Sequence, residues 1–556
     1  MNPRSRMTRR RWIVVAMLAA IGVLALWFAP RGGPQIEIAA ADHSIDGKTP
    51  RPGALFRGGG IAVATFAKDD GPPGNGVEAT GPIESVAAVL GEAGNLAAPG
   101  AREAVLERLR RSEAQRLALA RETAKRQGFP LRVVHPDGRV RELAGFVDGR
   151  PLYRETHNLN AALSTRADRL AVAPFSLTGT GVTVGVWDGG SVLANHREFA
   201  TGSRVTVQDG ALSDDHATHV AGTIASAGLY SLSRGMARAA RIDSYDWNDD
   251  ALELVSRGAA SPTEPGMIFL SNHSYGYLKG WVWMGGSGTP ARNWEWWGSG
   301  SGPTASETAF GRYDETAQAG DAIAHAAPYF LMFWSAGNEG IDNPSPGDTV
   351  SLSPYGSSVV SYDSALHPRG DGQHRGGYET IGHLGLAKNL VTVGSVLDAV
   401  SGGVRSLAPA ALNQFSSTGP VDDGRIKPDL VANGDSLLSP IAQGTDWYAW
   451  SSGTSMSSPN AAGTAALVVQ EYGNRFPGQA MRSSTLRGLL IHTADDLGTA
   501  GPDYRYGWGL VNGLAAAEQI RADAEQPLQA RIEESFVTST ENVLTREFLW
   551  DGVSPI

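Results

Sequence analysis

Apolar stretches of β-strand length recur through the middle of this 556-residue chain. They lie at residues 182–187, 268–270, 329–334 and 390–393, and each is followed by small or polar residues. The run 460–472 is instead rich in alanine and long enough for a buried helix. Strands that alternate with helical stretches are typical of α/β proteins, so we predict an α/β fold with a mostly parallel central sheet.

The first residues have the pattern of an export signal. Arginines between positions 4 and 11 precede an uncharged apolar run at residues 12–29. Positive charge ahead of an apolar run keeps the N-terminus in the cytoplasm and sends the remainder across the membrane. The run is long for a cleaved signal and short for a spanning helix, so residues 1–33 are predicted to be either a signal peptide or a signal anchor.

The pattern changes twice more before residue 176. Residues 34–83 are rich in Gly, Ala and Pro, which predicts a linker, whereas Leu and Val recur at helical spacing over residues 101–127. Two strand-like segments then flank the turn sequence His135-Pro136-Asp137-Gly138. We therefore expect residues 34–176 to contain a linker and a small α+β unit with a hairpin.

The C-terminal residues 522–556 also differ from the middle of the chain. Residues 524–529 have the composition of a linker, and strand-like alternation follows at 531–537 and 545–550. Two strands cannot bury a core of their own. We expect either the incomplete start of a β-sandwich-like segment or a tail that packs on the body of the protein as an edge.

The segment from Gly453 to Pro459 contains the first candidate catalytic residue. Ser455 lies between small residues directly ahead of the alanine-rich helix. Free backbone amides and the helix dipole favour negative charge at such a position, and Pro459 is expected in the first helical turn, where it is tolerated. A serine so placed is a nucleophile or an ordinary helix cap, and its partners decide between the two.

Both partners of a nucleophilic serine are present upstream. Asp188 ends the run 182–187 and is followed by two glycines, at the strand end where α/β folds place their ligands. His216 and His219 open a stretch of small residues with helical character. Two histidines three positions apart could also bind a metal ion, but no glutamate completes a metal-binding pattern and the chain has no cysteine.

Asp188, His216 and Ser455 follow one another in the order found in subtilisin. With the sequences around them, they resemble the subtilisin-like serine protease (subtilase) family, although Gly189 replaces its usual small hydroxyl residue and Ala217 its usual glycine. The resemblance extends over nearly all of residues 177–520. It implies a catalytic domain at 177–521 with the family's three-layer α/β fold.

The resemblance also implies a role for each of these residues. Asp188 orients the imidazole of His216, His216 acts as general base and then acid, and Ser455 attacks the scissile carbonyl. Asn338, which follows the run 329–334 and a few small residues, matches the family's oxyanion residue and would act with the Ser455 backbone N–H. His219 is expected to be structural.

The sequence also contains a candidate substrate-binding segment. The run 268–270 continues into an Asn-His-Ser-Tyr-Gly sequence that resembles one branch of the family. The family uses main-chain groups at this point to pair with an extended substrate, and His273 is expected to be structural rather than a second base. The residues that the resemblance assigns to substrate binding are Ser274, Tyr275, Gly276, Ser335, Ala336 and Gly337.

Composition narrows the range of partners. The formal charge of −10 argues against nucleic acid, since phosphate binding needs a basic surface. Without cysteine there are no disulfides, so a large core must stabilise the fold. The chemistry requires no cofactor, and structural calcium is expected from the resemblance alone, because the acidic loops 209–215 and 422–423 lack EF-hand spacing.

Tryptophans cluster between residues 276 and 329, where the chain is longer than compact family members require. Five of them lie at positions 281, 283, 294, 296 and 297, among glycines and serines. Such a cluster either lines a substrate cleft or a carbohydrate-binding face, or anchors a long loop onto the body of the enzyme.

We therefore expect an exported serine endopeptidase, extracellular or periplasmic, with the N-terminal segment as its one contact with a membrane. It would cleave protein or peptide substrates through an acyl-enzyme. By resemblance, residues 34–176 are an inhibitory propeptide; a retained N-terminal domain is the alternative. An esterase or a peptidase that trims chain ends is the alternative activity, whereas an inactive binding protein is disfavoured because every catalytic residue is present.

Overall fold

The computed structural model describes residues 159–287 and 290–526, with a few further positions on either side. These are the strands between 132 and 155, helical positions between 104 and 126, residues 531–535, and positions 543 and 545. The apolar run 12–29 lies outside the described residues. Among the residues that are described, no helix combines the length and the apolar content needed to cross a bilayer.

The secondary structure of the described residues follows the alternation seen in the sequence. The α-helices are α1 Leu159–Ser164, α2 Ala167–Leu170, α3 Arg197–Ala200, α4 Asp215–Ala225, α5 Asp250–Arg257, α6 Glu315–Ala326, α7 Thr454–Arg475, α8 Ser483–His492 and α9 Gly513–Glu525. The strands are β1 Arg132–Val134, β2 Val140–Val147, β3 Arg150–Glu155, β4 Thr183–Asp188, β5 Val205–Val207, β6 Arg241–Asp246, β7 Leu270–His273, β8 Trp281–Trp283, β9 Trp294–Trp296, β10 Leu331–Ser335, β11 Thr349–Ser351, β12 Val360–Ser361, β13 Val391–Val396, β14 Val400–Ser401, β15 Val404–Arg405, β16 Leu430–Asn433, β17 Leu437–Pro440 and β18 Tyr448–Ser451.

A seven-stranded sheet forms the centre of the molecule, in the order β16-β13-β10-β7-β4-β6-β5. Every neighbouring pair in it is parallel. Parallel sheets are covered on both faces, which is why their strands read as continuous apolar runs. The predicted α/β fold with a mostly parallel central sheet is confirmed.

Helices cover both faces of this sheet and create two separate cores. On one face, Val184, Val186 and Leu270 pack against residues of α4, α7 and α9. On the other, Trp187 and Trp334 pack against residues of α5 and α6. The result is a three-layer sandwich in which the carboxyl ends of β4, β7 and β10 lie side by side.

Helix α7 is 22 residues long, and it begins earlier in the chain than the sequence predicts. Pro459, which is expected in the first helical turn, is the sixth residue of the helix. Its missing N–H leaves the Ser455 carbonyl without the usual helical donor. The Ser274 hydroxyl donates to that carbonyl at 2.9 Å instead, so a contact from β7 replaces the lost helical bond.

The N-terminal hairpin is confirmed as far as the structure describes it. β1 pairs antiparallel with β2, with Arg132 opposite Glu142 and Val134 opposite Val140. β3 adds a third antiparallel strand that the sequence pattern did not predict. Residues of α1 and α2 pack in the same core as α4 and α7, and Thr165 donates to Asn460 at 3.2 Å, so this part of the chain belongs to the body.

The described part of the C-terminal tail is irregular rather than extended. Residues 531–535 form no strand, although the pattern predicts one at 531–537. The backbone N–H groups of Arg531 and Ile532 donate to the Asp523 carboxylate, at 2.6 and 3.1 Å, and are therefore not paired with a strand. The Glu534 carboxylate accepts from Arg482 N at the start of α8. The segment 545–550 lies outside the described residues, apart from position 545.

The tryptophan-rich insertion supplies two strands, β8 and β9, of a separate four-stranded sheet in the order β12-β11-β9-β8, which we call the insert sheet. The other two strands, β11 and β12, follow β10 in the chain. Trp281, Trp294 and Trp296 are buried there with Val350 and Tyr362. These side chains form a small core and not an open aromatic surface. Of the two alternatives, the structure supports the anchoring role.

Candidate active site

Asp188 lies at the carboxyl end of β4 and is fully buried. Its Oδ1 accepts a hydrogen bond from His216 Nδ1 at 2.7 Å and another from the Gly189 backbone N–H at 2.7 Å. Burial raises the pKa of the Asp188 carboxyl, and the charge of His216 and the hydrogen bond from it oppose that rise. The pair is therefore arranged so that the carboxylate stabilises an imidazolium at its side.

Helix α4 sets the position of His216. The Asp214 side chain caps the helix by accepting from His216 N at 2.8 Å and Ala217 N at 3.1 Å. His216 is thereby fixed in the first turn, one residue after the helix begins, with its ring against β4. His216 is 28 residues away from Asp188 in the sequence, and the packing of α4 against the sheet brings the two side chains together.

His219 points away from the Asp188–His216 pair. Its Nε2 lies 3.1 Å from the carbonyls of both Leu437 and Ala449, so this nitrogen carries the proton. Burial lowers the pKa of His219 to about 3. The two histidines bind different partners, which supports a structural role for His219 over a shared metal site.

Ser455 is the second residue of α7 and is almost completely buried. Its Oγ lies 3.3 Å from the Ser274 carbonyl, and the Ser274 Oγ lies 2.9 Å from the Ser455 carbonyl. This reciprocal pair joins the start of α7 to the end of β7. Ser455 therefore lies at the same sheet edge as Asp188, at a helix N-terminus where negative charge is favoured.

Asn338 follows β10 and is held by the residue that precedes Ser455. Its Oδ1 accepts from Thr454 N at 2.9 Å and from Thr454 Oγ1 at 3.0 Å. The Thr454 hydroxyl also accepts from Gly337 N at 3.1 Å. A Cβ at Gly453 would lie 3.5 Å from Asn338 Nδ2, so the amide nitrogen faces the start of α7. An amide donor so placed is suited to an oxyanion that forms near Ser455.

A pocket opens between the two segments that the sequence assigns to substrate binding. It is lined by the segments 275–277 and 335–337. Sequence reasoning missed its remaining wall, which consists of Trp334 near the end of β10, Lys279 and residues 382–384. No local signal marks Lys279 and residues 382–384, because they come from loops outside the recognisable motifs. Lys279 is buried and forms an ion pair with Glu339, next to Asn338.

The structure explains why a glycine follows Asp188. A Cβ at position 189 would lie 3.0 Å from the indole of Trp247, closer than side chains normally approach. The ring of Trp247 also packs near that of Tyr275, with centroids 5.8 Å apart. Gly189 thus leaves room for an aromatic wall between Asp188 and the segment 274–276.

The acidic loops singled out for calcium bind protein groups. Asp214 caps α4, and Asp215 accepts from Ala442 N at 2.9 Å and from Gln443. Asp423 pairs with Arg425 at 2.9 Å. Within the described part of the chain, no three His, Asp or Glu side chains are grouped so as to hold a metal ion.

A three-layer α/β sandwich with Asp188, His216 and Ser455 at one sheet edge defines a serine hydrolase of the subtilisin-like class. The model of the Subtilase family matches residues 179–509, more than half of the chain. The protein therefore belongs to the subtilase family.

Individual relatives match over shorter stretches. The C5a peptidase of Streptococcus pyogenes is 46% identical over 66 residues, which is 12% of this chain and 6% of that protein. The autotransporter lipoprotein NalP of Neisseria meningitidis serogroup B is 43% identical over 60 residues, 11% of this chain and 5% of that protein. The matches thus span about a twentieth of the length of these curated relatives.

The CspB protease of Clostridium perfringens is similar in structure. It is 16% identical with a TM-score of 0.45, and the match covers 64% of this chain and 99% of that one.

Proposed function

We propose that this subtilase is an exported serine endopeptidase that uses Asp188, His216 and Ser455 as its catalytic triad. The observation that carries the proposal is the 2.7 Å hydrogen bond between buried Asp188 and His216. It lies at the same sheet edge as Ser455, the second residue of α7. A serine hydroxyl needs such an oriented base to act as a nucleophile. The alternative of an ordinary helix cap leaves the buried aspartate–histidine pair without a purpose.

In the proposed reaction the Ser455 Oγ attacks the carbonyl carbon of the substrate. His216 Nε2 takes the hydroxyl proton, and Asp188 stabilises the resulting imidazolium through Nδ1. The oxyanion accepts from Asn338 Nδ2 and the Ser455 backbone N–H. His216 then gives its proton to the leaving amine, and water releases the acyl group by the same steps in reverse.

Substrate would bind in an extended conformation along the segment 274–276. Pairing of this kind uses main-chain hydrogen bonds and so accepts many sequences. The pocket between 275–277 and 335–337 would receive the side chain next to the scissile bond. An endopeptidase is favoured over an esterase because a main-chain binding edge is useful to a polypeptide and not to a small ester.

Export is the second part of the proposal. The arginine-led apolar run at 12–29 supports it, and one relative is by name an autotransporter lipoprotein. We further propose that the part of the region 34–176 that precedes α1 acts as an intramolecular inhibitor until export is complete, since α1 and α2 pack in the core of the body. Protein or peptide substrates are the expected partners. Nucleic acid is not expected as a partner, because the chain is acidic.

The test is to incubate purified protein with casein and, separately, with a fluorophosphonate probe. We expect casein cleavage and labelling at Ser455, and we expect Ser455→Ala to lose both by several orders of magnitude. The matched control is Ser457→Ala, a buried serine of the same helix whose hydroxyl donates to Thr454 O at 3.0 Å.

Each outcome of this experiment has a distinct meaning. Labelling without casein cleavage would favour a narrower serine hydrolase. Absence of labelling in folded protein, freed by limited proteolysis of the residues ahead of α1, would overturn the triad.

A further inference from the structure

Four aromatic rings stack across four neighbouring strands of the central sheet, and we call them the ring ladder. They belong to Tyr245 of β6, Trp187 of β4, His273 of β7 and Trp334 of β10, which lie in register. Successive ring centroids are 4.3, 5.3 and 4.2 Å apart, and the planes differ by 2°, 19° and 3°. Rings stacked in this way fix the relative positions of their strands.

The ring ladder lies directly behind the candidate active site. Trp187 precedes Asp188, His273 precedes Ser274, and Trp334 precedes Ser335. Because side chains alternate along a strand, each ring points to the opposite face from the residue that follows it. The ring ladder therefore supports the strand ends that carry the site, and one of its rings, Trp334, also lines the pocket.

Two polar atoms of the ring ladder hold Tyr275 in place. The Trp334 indole N–H donates to the Tyr275 carbonyl at 3.0 Å. The Tyr275 hydroxyl donates to Asp250 at 2.7 Å, so it accepts from His273 Nδ1, 3.2 Å away. Tyr275 is thus anchored through both its main chain and its side chain, and it is buried.

The anchored carbonyl fixes the direction of the next N–H. In a trans peptide, the carbonyl of residue 275 and the N–H of Gly276 point to opposite sides of the chain. With the carbonyl directed at Trp334 in the interior, the Gly276 N–H points outward. The space there is open, since a Cβ at Gly276 would meet no atom within 4 Å.

We propose that Trp334 is a positioning residue for substrate pairing, acting through the peptide between Tyr275 and Gly276. Its indole N–H keeps the Gly276 N–H directed at the backbone of an extended peptide substrate. The inference rests on the proposed function, because it concerns how the same site binds a polypeptide. It predicts that the Trp334 N–H, as distinct from the ring that lines the pocket, matters for long substrates and not for substrates that fill only the pocket.

The test compares the parent protein with a variant that carries β-(3-benzothienyl)alanine at position 334, on two substrates. This analogue keeps the ring that lines the pocket and removes only the N–H donor. One substrate is a tetrapeptide anilide, long enough to pair with the Gly276 N–H, and the other is a single-residue ester, which fills the pocket without that pairing. We expect kcat/KM for the anilide to fall about 10-fold, mainly through KM, because one main-chain bond is lost. The ester should change by less than about twofold.

The matched control carries the same analogue at position 296 in the insert sheet. Trp296 is equally buried, and its indole N–H donates to the Gly300 carbonyl at 2.7 Å. This variant loses a comparable hydrogen bond outside the pocket wall, so both substrates should be cleaved at the parent rate.

An equal fall for both substrates would overturn the positioning role, since it would place the effect at the pocket or the triad. Unchanged kinetics on both would overturn it as well. Failure of the proposed function is separable, because the parent protein would then neither react with a fluorophosphonate at Ser455 nor cleave either substrate.

Discussion

Aromatic side chains are concentrated in two regions of this protein, the ring ladder of the central sheet and the core of the insert sheet. In the ring ladder the rings are parallel and belong to strands in register. In the insert sheet they meet at steep angles, as between Trp283 and Trp294 at 67° and between Trp281 and Trp296 at 49°. Stacking aligns strands, whereas steep contacts fill an irregular space.

The two regions also differ in what their indole N–H groups bind. In the insert sheet, Trp281 donates to the Arg369 carbonyl and Trp296 to the Gly300 carbonyl, at 3.0 and 2.7 Å, and both bonds hold loops around that sheet. In the ring ladder, Trp334 donates at 3.0 Å to the Tyr275 carbonyl, in the segment that we propose binds substrate. The difference shows that the hydrogen-bond partners of an aromatic cluster, and not the number of its rings, indicate whether the cluster serves stability or function.

The largest effect should come from Asn338, which lies beyond the end of β10, the strand that carries Trp334 of the ring ladder. Asn338→Ala is expected to lower kcat by about 100- to 1000-fold with little change in KM, because the amide donates to the oxyanion in the transition state. Steady-state kinetics on a peptide substrate would measure it. A change confined to KM would make Asn338 a ground-state contact and weaken the distinction between the regions.

A substitution in the insert sheet should lower stability and leave activity unchanged. Trp296→Ala removes a fully packed side chain and is expected to cost about 3 kcal/mol of unfolding free energy. Denaturant unfolding would measure the loss, and kcat/KM at low temperature should stay near the parent value. A large fall in kcat/KM with the fold intact would show that the insert sheet takes part in catalysis.

A smaller effect is expected from acid, because the ring ladder contains a titratable ring. Burial lowers the pKa of His273 to about 3, from 6.5, so the unfolded chain binds the extra proton between these values. Stability from the neutral ring is complete above pH 6.5 and decreases as pH falls, by about 2 kcal/mol at pH 5. No strand of the insert sheet contains histidine.

His273→Phe tests this dependence, since phenylalanine keeps a ring between the two tryptophans and cannot titrate. Unfolding free energies at pH 7 and pH 5 should differ less in the variant than in the parent, by about 2 kcal/mol. His219, whose pKa is also lowered to about 3 by burial, remains in both proteins and serves as the internal reference. Equal pH slopes would mean that His273 does not control acid stability.

The motifs themselves could be located without a structure. Asp188 follows a strand, His216 begins a helix, and Ser455 precedes a long alanine-rich helix, so each is marked by its local pattern. The family assignment and the parallel sheet followed from these patterns. The pocket wall of Lys279 and residues 382–384 could not be predicted, because nothing local distinguishes these residues from other loops.

What the sequence determined by itself was therefore the fold class, the family and the residues able to do the chemistry, since periodicity and motif spacing are local properties. The tertiary structure alone decided which distant atoms meet. The Ser274 hydroxyl satisfies a carbonyl 181 positions away that Pro459 leaves without a helical donor. The register of four strands turns rings that are scattered through the chain into one stack behind the site, because burial in a parallel sheet allows side chains only one alignment.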